Sequence, residues 1–122
     1  MEAISFMIGD WALINNTPHK IQTIDITDAE IQADGKIYYV GEYWYNSKDK
    51  IDGVPITCEI LEKNEDGIHF IWKRGTLSIW LDDEKYNDRT CQNVIVPVKY
   101  VHQVQQVLRI IGLDQLANNF KI

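Results

Sequence analysis

Ile31-Gln32-Ala33-Asp34-Gly35-Lys36-Ile37-Tyr38 is the stretch from which the fold of this chain is read. A two-residue type I′ hairpin turn needs positive φ at both central positions, and Asp-Gly between β-prone runs supplies that at little steric cost. Strands are therefore expected on both sides of Asp34-Gly35. Upstream, His19 to Asp25 places Ile21 and Ile24 in imperfect alternation with polar residues, and Asn16-Thr17-Pro18 breaks it from a run at Trp11 to Asn15. Four short strands opened by Ile8-Gly9-Asp10-Trp11 predict a small, strongly bent antiparallel sheet or SH3-like barrel rather than βαβ units.

Downstream, an aromatic and polar segment from Gly41 to Gly53 leads to Val54-Pro55-Ile56-Thr57. Thr57 is suited to accept from the orphan amides of a short helix running to about Asn64, with Ile60 and Leu61 facing the core. Arg74-Gly75 separates Ile68–Lys73 from Thr76–Leu81 in hairpin fashion, and the β-branched Val94-Ile95-Val96 marks a third strand of the same meander. Val101, Val104, Leu108 and Ile111 recur at spacings of three and four, the stripe of an amphipathic helix that Gly112 ends. Leu116 and Phe120 are left to dock in a further short turn. The predicted class is α+β: a small N-terminal SH3-like sheet, a short helix, a three-stranded β-meander and a C-terminal helix. It forms a single domain over 1–122, with one lobe at 1–53 and the other at 54–122.

Several classes of function are disfavoured by composition. The chain is acidic, net −6, with 12 basic residues scattered at sites such as Lys48, Lys50, Lys73, Arg74 and Arg109, so a basic stripe for direct nucleic-acid binding is missing. No run approaches a membrane span, and the opening Met1-Glu2-Ala3-Ile4 lacks the basic region of an export signal, so a cytoplasmic location is expected. Cys58 and Cys91 have no metal-ligand spacing and read as reduced thiols.

His19, His69 and His102 likewise lack HxxxH, HExxH or Cys/His spacing, and no GxSxG, P-loop or GxGxxG is present, so neither cofactor nor metal is implied. A small hydrolase or metal enzyme requires two or more of these histidines and cysteines to converge in a cleft. Acids gather at Asp25, Asp28 and Glu30 and at Asp82-Asp83-Glu84; neither stretch has the spacing of a calcium loop. If they share one face, they would suit an acidic mimic of nucleic acid that blocks a DNA-binding protein.

The aromatic residues point elsewhere. Tyr43, Trp44 and Tyr45 follow Tyr38 and Tyr39 closely, and Tyr and Trp bury large area in recognition surfaces while keeping a polar handle. The competing reading puts Trp44 in the seam between the lobes. Phe70 and Trp72 share one sheet face by period two, and Trp80 is placed across the hairpin from them as a partner or homodimer surface. His102 completes the candidate surface: it sits with Gln103 and Gln105 in the first turn of the last helix, where outward amide dipoles favour an anion. The competing reading there has Tyr100, His102 and Gln103 as local caps and links between lobes while Val101 and Val104 pack.

Glu42-Tyr43-Trp44-Tyr45, Pro55-Ile56-Thr57 with Glu59-Ile60-Leu61, and above all Tyr100-Val101-His102-Gln103-x-Gln105 together resemble a family of short uncharacterised proteins of gut bacteria and their phages or mobile elements. The resemblance spans most of the chain and implies an origin, not an activity. The chain departs from that pattern at Cys58, where an acid is usual, and at Ala117-Asn118-Asn119, where the tail is normally shorter and more acidic. The sequence thus predicts a non-enzymatic protein-interaction module, an accessory factor of a mobile element, whose partner is a protein.

Overall fold

The computed structural model describes residues 5–25, 30–40, 49–81 and 93–122. Its first half holds β1 (Trp11–Ile14), β2 (Thr17–Asp25), β3 (Glu30–Ala33), β4 (Lys36–Tyr39) and β5 (Ile51–Asp52), hydrogen-bonded in the order β4-β3-β2-β1-β5. The pairings are all antiparallel. Asp34 and Gly35 take φ of 53° and 75°, the left-handed pair that the Asp-Gly turn requires. Asn15 and Asn16 do the same at 53° and 68°, which moves the first turn upstream of its expected place. Thr17 and Pro18 therefore belong to β2, opposite Ile14 and Leu13. Pro18 is tolerated there because β3 reaches back only as far as Ile21, leaving the proline without a ladder partner on that side.

Between Ile21 and Thr23 the β2–β3 register slips by a bulge, which bends the strand and raises its twist. The five strands curl into a half-barrel around Phe6, Ala12, Ile14, Ile21, Ile31, Ala33, Val40 and Ile51. The SH3-like sheet expected from the hairpin signals is thus present.

In the second half, α1 (Cys58–Glu62) is shorter than expected but starts where Thr57 Oγ1 accepts from Ile60 N at 3.1 Å. Then come β6 (Ile68–Lys73), β7 (Thr76–Leu81) and β8 (Asn93–Pro97), a three-stranded sheet in sequence order. Arg74 and Gly75 make its left-handed turn at φ 52° and 76°. Helix α2 (Val101–Ile110) follows, then α3 (Asp114–Asn118), the short last turn. One face of the meander packs with Val101, Val104, Leu108, Ala117 and Phe120 in a second core, distinct from that of the half-barrel. The ring of Phe120 meets Phe70 edge-on at 6.5 Å.

The lobes join where the chain leaves β5. Val101 N donates to Val54 O at 2.8 Å and Ile56 N to Lys99 O at 3.2 Å, with Pro55 bridged to Tyr100. Gly53 is forced by this closeness, because a Cβ there would lie 2.4 Å from Tyr100 Cγ. Gly53→Ala must displace the Tyr100 ring and is expected to cost about 1–3 kcal/mol as an overpacked site. A lowered urea midpoint at unchanged m would register it, and a midpoint within error of wild type would contradict the crowding argument.

Candidate functional site

The expected aromatic surface divides in two. A two-residue turn at Arg74-Gly75 pairs Lys73 with Thr76, Ile71 with Ser78 and His69 with Trp80, so odd positions of β6 share a face with even positions of β7. Trp80 therefore lies on the opposite face from Phe70 and Trp72. Phe70 and Trp72 pack inward against the second core, and Trp72 Nε1 donates to Val98 O at 3.3 Å. They are core residues, and the expectation of one surface formed by Trp72 and Trp80 together is corrected by this register.

The outer face instead collects Ile71, Trp80 and Ile95, exposed by 47%, 49% and 73%. Ser78 stands opposite both Ile71 and Ile95 in the register. No Asp or Glu occurs in β6, β7 or β8, although the chain carries 18 acids; Lys73 and Arg74 stand at the turn end, both exposed. Ile71 and Ile95 were missed because β-branched residues in a strand read as core, and only the sheet's position reveals which face is left uncovered. Tyr43, Trp44 and Tyr45 lie outside the described residues.

The second concentration of polar groups is a seam between residues 5–11 and α2, not a cleft. His102, Gln105, Gln106 and Arg109 follow one another at helical spacings and face that segment. Arg109 Nη1 donates to Asp10 Oδ1 at 2.5 Å, while Asp10 Oδ2 accepts from Met7 N at 2.8 Å and Gln106 Nε2 at 2.9 Å. The Asp10 side chain is wholly buried, so each of these partners compensates for lost hydration. Gln105 Nε2 donates to Gly9 O and Ala117 O, both at 2.9 Å, and its Oε1 accepts from Trp11 N at 2.9 Å. Trp11 Nε1 donates to Phe120 O at 2.7 Å.

His102 is buried at the same seam, its ring 4.1 Å from Phe6 and 5.7 Å from Tyr100, and its Nδ1 has no hydrogen-bond partner. Burial lowers its pKa, against a smaller opposing pull from Asp10. Gln103 folds back to cap the helix, its Oε1 accepting from Lys99 N at 2.7 Å and Tyr100 N at 3.1 Å. Capping and packing thus occupy the helix start where an anion was weighed.

Among the described residues the groups needed for catalysis are dispersed, and Cys91 lies outside them. His19 pairs with Asp34 at 2.5 Å on the half-barrel, His69 with Glu65 at 3.3 Å on the meander, and Cys58 is exposed at the start of α1. Among the described residues no three His, Cys, Asp or Glu side chains are grouped to hold a metal. Of the acids considered for nucleic-acid mimicry, Asp25 and Glu30 face each other across β2 and β3; Asp28 and Asp82-Asp83-Glu84 lie outside the described residues. A groove lined by Phe6, Met7, Ile8, Ile24 and Arg109 offers a guanidinium, but Asp10, Ile8 O and the Asn118 amide oxygen already engage it. No helix among the described residues is long and apolar enough to cross a membrane.

A half-barrel joined to a helix-backed meander defines an α+β protein whose most exposed apolar sheet surface, among the described residues, is the meander's outer face. Comparison with protein-family models, curated proteins and solved structures finds no match to this chain.

Proposed function

We propose that this chain is a non-enzymatic protein-interaction module that binds through the outer face of the meander. The observation that carries this reading is the exposure of Ile71, Trp80 and Ile95 together on a sheet face whose reverse side packs against the second core. Apolar side chains grouped on one face and rimmed by polar groups are characteristic of recognition surfaces, with Trp the favoured anchor. Charge orients the partner: Lys73 and Arg74 stand at the turn end of the face, whose strands carry no carboxylate, while Glu65 lies against His69 at the other end, so the turn end suits a protein presenting apolar side chains flanked by acids.

Trp80→Ala and Ile95→Ser remove exposed apolar surface and are expected to change stability by no more than about 0.5 kcal/mol. The test is capture from lysate by wild type, by the double variant and by Lys73→Glu/Arg74→Glu, followed by association kinetics on any captured protein. Support requires a protein lost on the double variant and slowed in association by the charge reversal. Retention by all three chains would overturn the proposal, as would wild-type self-association that occludes the face.

A further inference from the structure

We propose that His102 is an acid-sensitive latch that holds residues 5–11 against α2 at neutral pH and releases them as the imidazole takes up a proton. The two lobes have separate apolar cores, and His102 lies at their junction, its ring tilted 35° against Phe6 of the first core and its neighbours Val101 and Val104 in the second. Most of the other direct ties across this seam are polar: Trp11 N to Gln105, Trp11 Nε1 to Phe120 O, Gln105 to Gly9 O, Gln106 to Ser5 O and Asp10, and Arg109 to Asp10 and Ile8 O; the Trp11 ring adds an apolar contact with the second core. Polar ties can be exchanged for water, and the partly buried Trp11 ring lies at the margin of the second core, so opening the seam leaves the main body of both cores in place.

The closed seam disfavours the imidazolium. His102 is only 2% exposed and Nδ1 has no acceptor, so a proton placed there would be buried without a partner. Among the described residues of the N-terminal segment the facing charge is Asp10, whose attraction would favour the imidazolium; that carboxylate is already engaged by Arg109 from α2. From the stretch before the helix the neighbour is Tyr100, a neutral ring stacked at 5.7 Å. Opening restores hydration and an ordinary affinity for protons.

The sign follows from linkage. The closed-state pKa is lowered from 6.5, so above about pH 6.5 both states hold a neutral ring and the latch is fully effective. Below it the open state binds a proton that the closed state does not, and the closed-to-open ratio falls by up to about tenfold per pH unit. The fall levels off at the lowered pKa, where the closed state also becomes charged.

Hydrogen exchange of wild type and His102→Phe at pH 7.5 and 5.0, corrected for intrinsic rates, reads this directly. Protection of the Trp11 amide is expected to fall by up to about 30-fold in wild type while Ile31 and Leu77 amides hold theirs, and to stay level in His102→Phe. Equal acid sensitivity in both chains, or none in wild type, would overturn the latch. Should His102→Phe not fold, the His102 ring is titrated by NMR in wild type. Titration below 6.5 accompanied by Trp11 exchange supports the latch, and titration at or above 6.5, or without that exchange, refutes it.

Discussion

Arg109→Met is expected to destabilise the protein by about 3–5 kcal/mol, because it strips the cation from a carboxylate that has no access to water. Met7 N and Gln106 would still donate to Asp10, which places the loss toward the lower end of that range. Even so it is a large share of the 5–15 kcal/mol that typically holds a domain together. The pair is not expected to owe its place to net stabilisation, since two buried ions replaced together by apolar residues of similar volume often cost nothing. Asp10→Leu/Arg109→Met should therefore unfold at a higher urea concentration than Arg109→Met alone. A single-variant loss below about 1 kcal/mol, or a double variant weaker than the single, would show that the burial of Asp10 does not govern the seam.

Phe120→Ala should cost about 3–5 kcal/mol by a different route, the loss of a buried ring and the cavity left behind. The ring fills the space beside Phe70, whereas the backbone carbonyl that receives the Trp11 indole survives the substitution. Phe120→Leu keeps most of the volume and is expected to lose less than about 1.5 kcal/mol. Chemical denaturation of the three chains separates the two contributions. If leucine proved as damaging as alanine, ring geometry rather than filled volume would be what the site requires.

How far the fold was readable depended on the reach of the interactions. Asp34-Gly35 and Arg74-Gly75 encode their turns in adjacent residues, and the stripe of Val101, Val104 and Leu108 lies within one helix, so these elements emerged from local rules. The misplacement of Trp80 was avoidable in principle: a two-residue turn fixes the parity of the hairpin, and Arg74-Gly75 already implied that Trp80 shares a face with Ile71. The seam was not readable, because Asp10 and Arg109 stand 99 positions apart and either alone is an ordinary surface charge. Gln105 reads in the sequence as a companion of His102 and Gln103 at an anion-favouring helix start, and nothing in the spacing of a glutamine announces that it will be buried with three backbone partners. Tyr43, Trp44 and Tyr45, the strongest aromatic signal in the sequence, lie outside the described residues, so the candidate surface now rests on the meander.

The hydrogen bond from Trp11 to Gln105 spans 94 positions, and this fixes an order of events during synthesis. A ribosome adding about 5–20 residues per second makes Gln105 roughly 5–20 s after Trp11. Hairpins form within microseconds, so the half-barrel strands can pair long before that. Through that interval Asp10 has neither its arginine nor its glutamine and must stay hydrated, and Phe6 has no imidazole to pack against. The nascent chain is therefore held open at residues 5–11 until α2 arrives, and a chaperone meeting it in that interval would find this edge of the half-barrel uncovered.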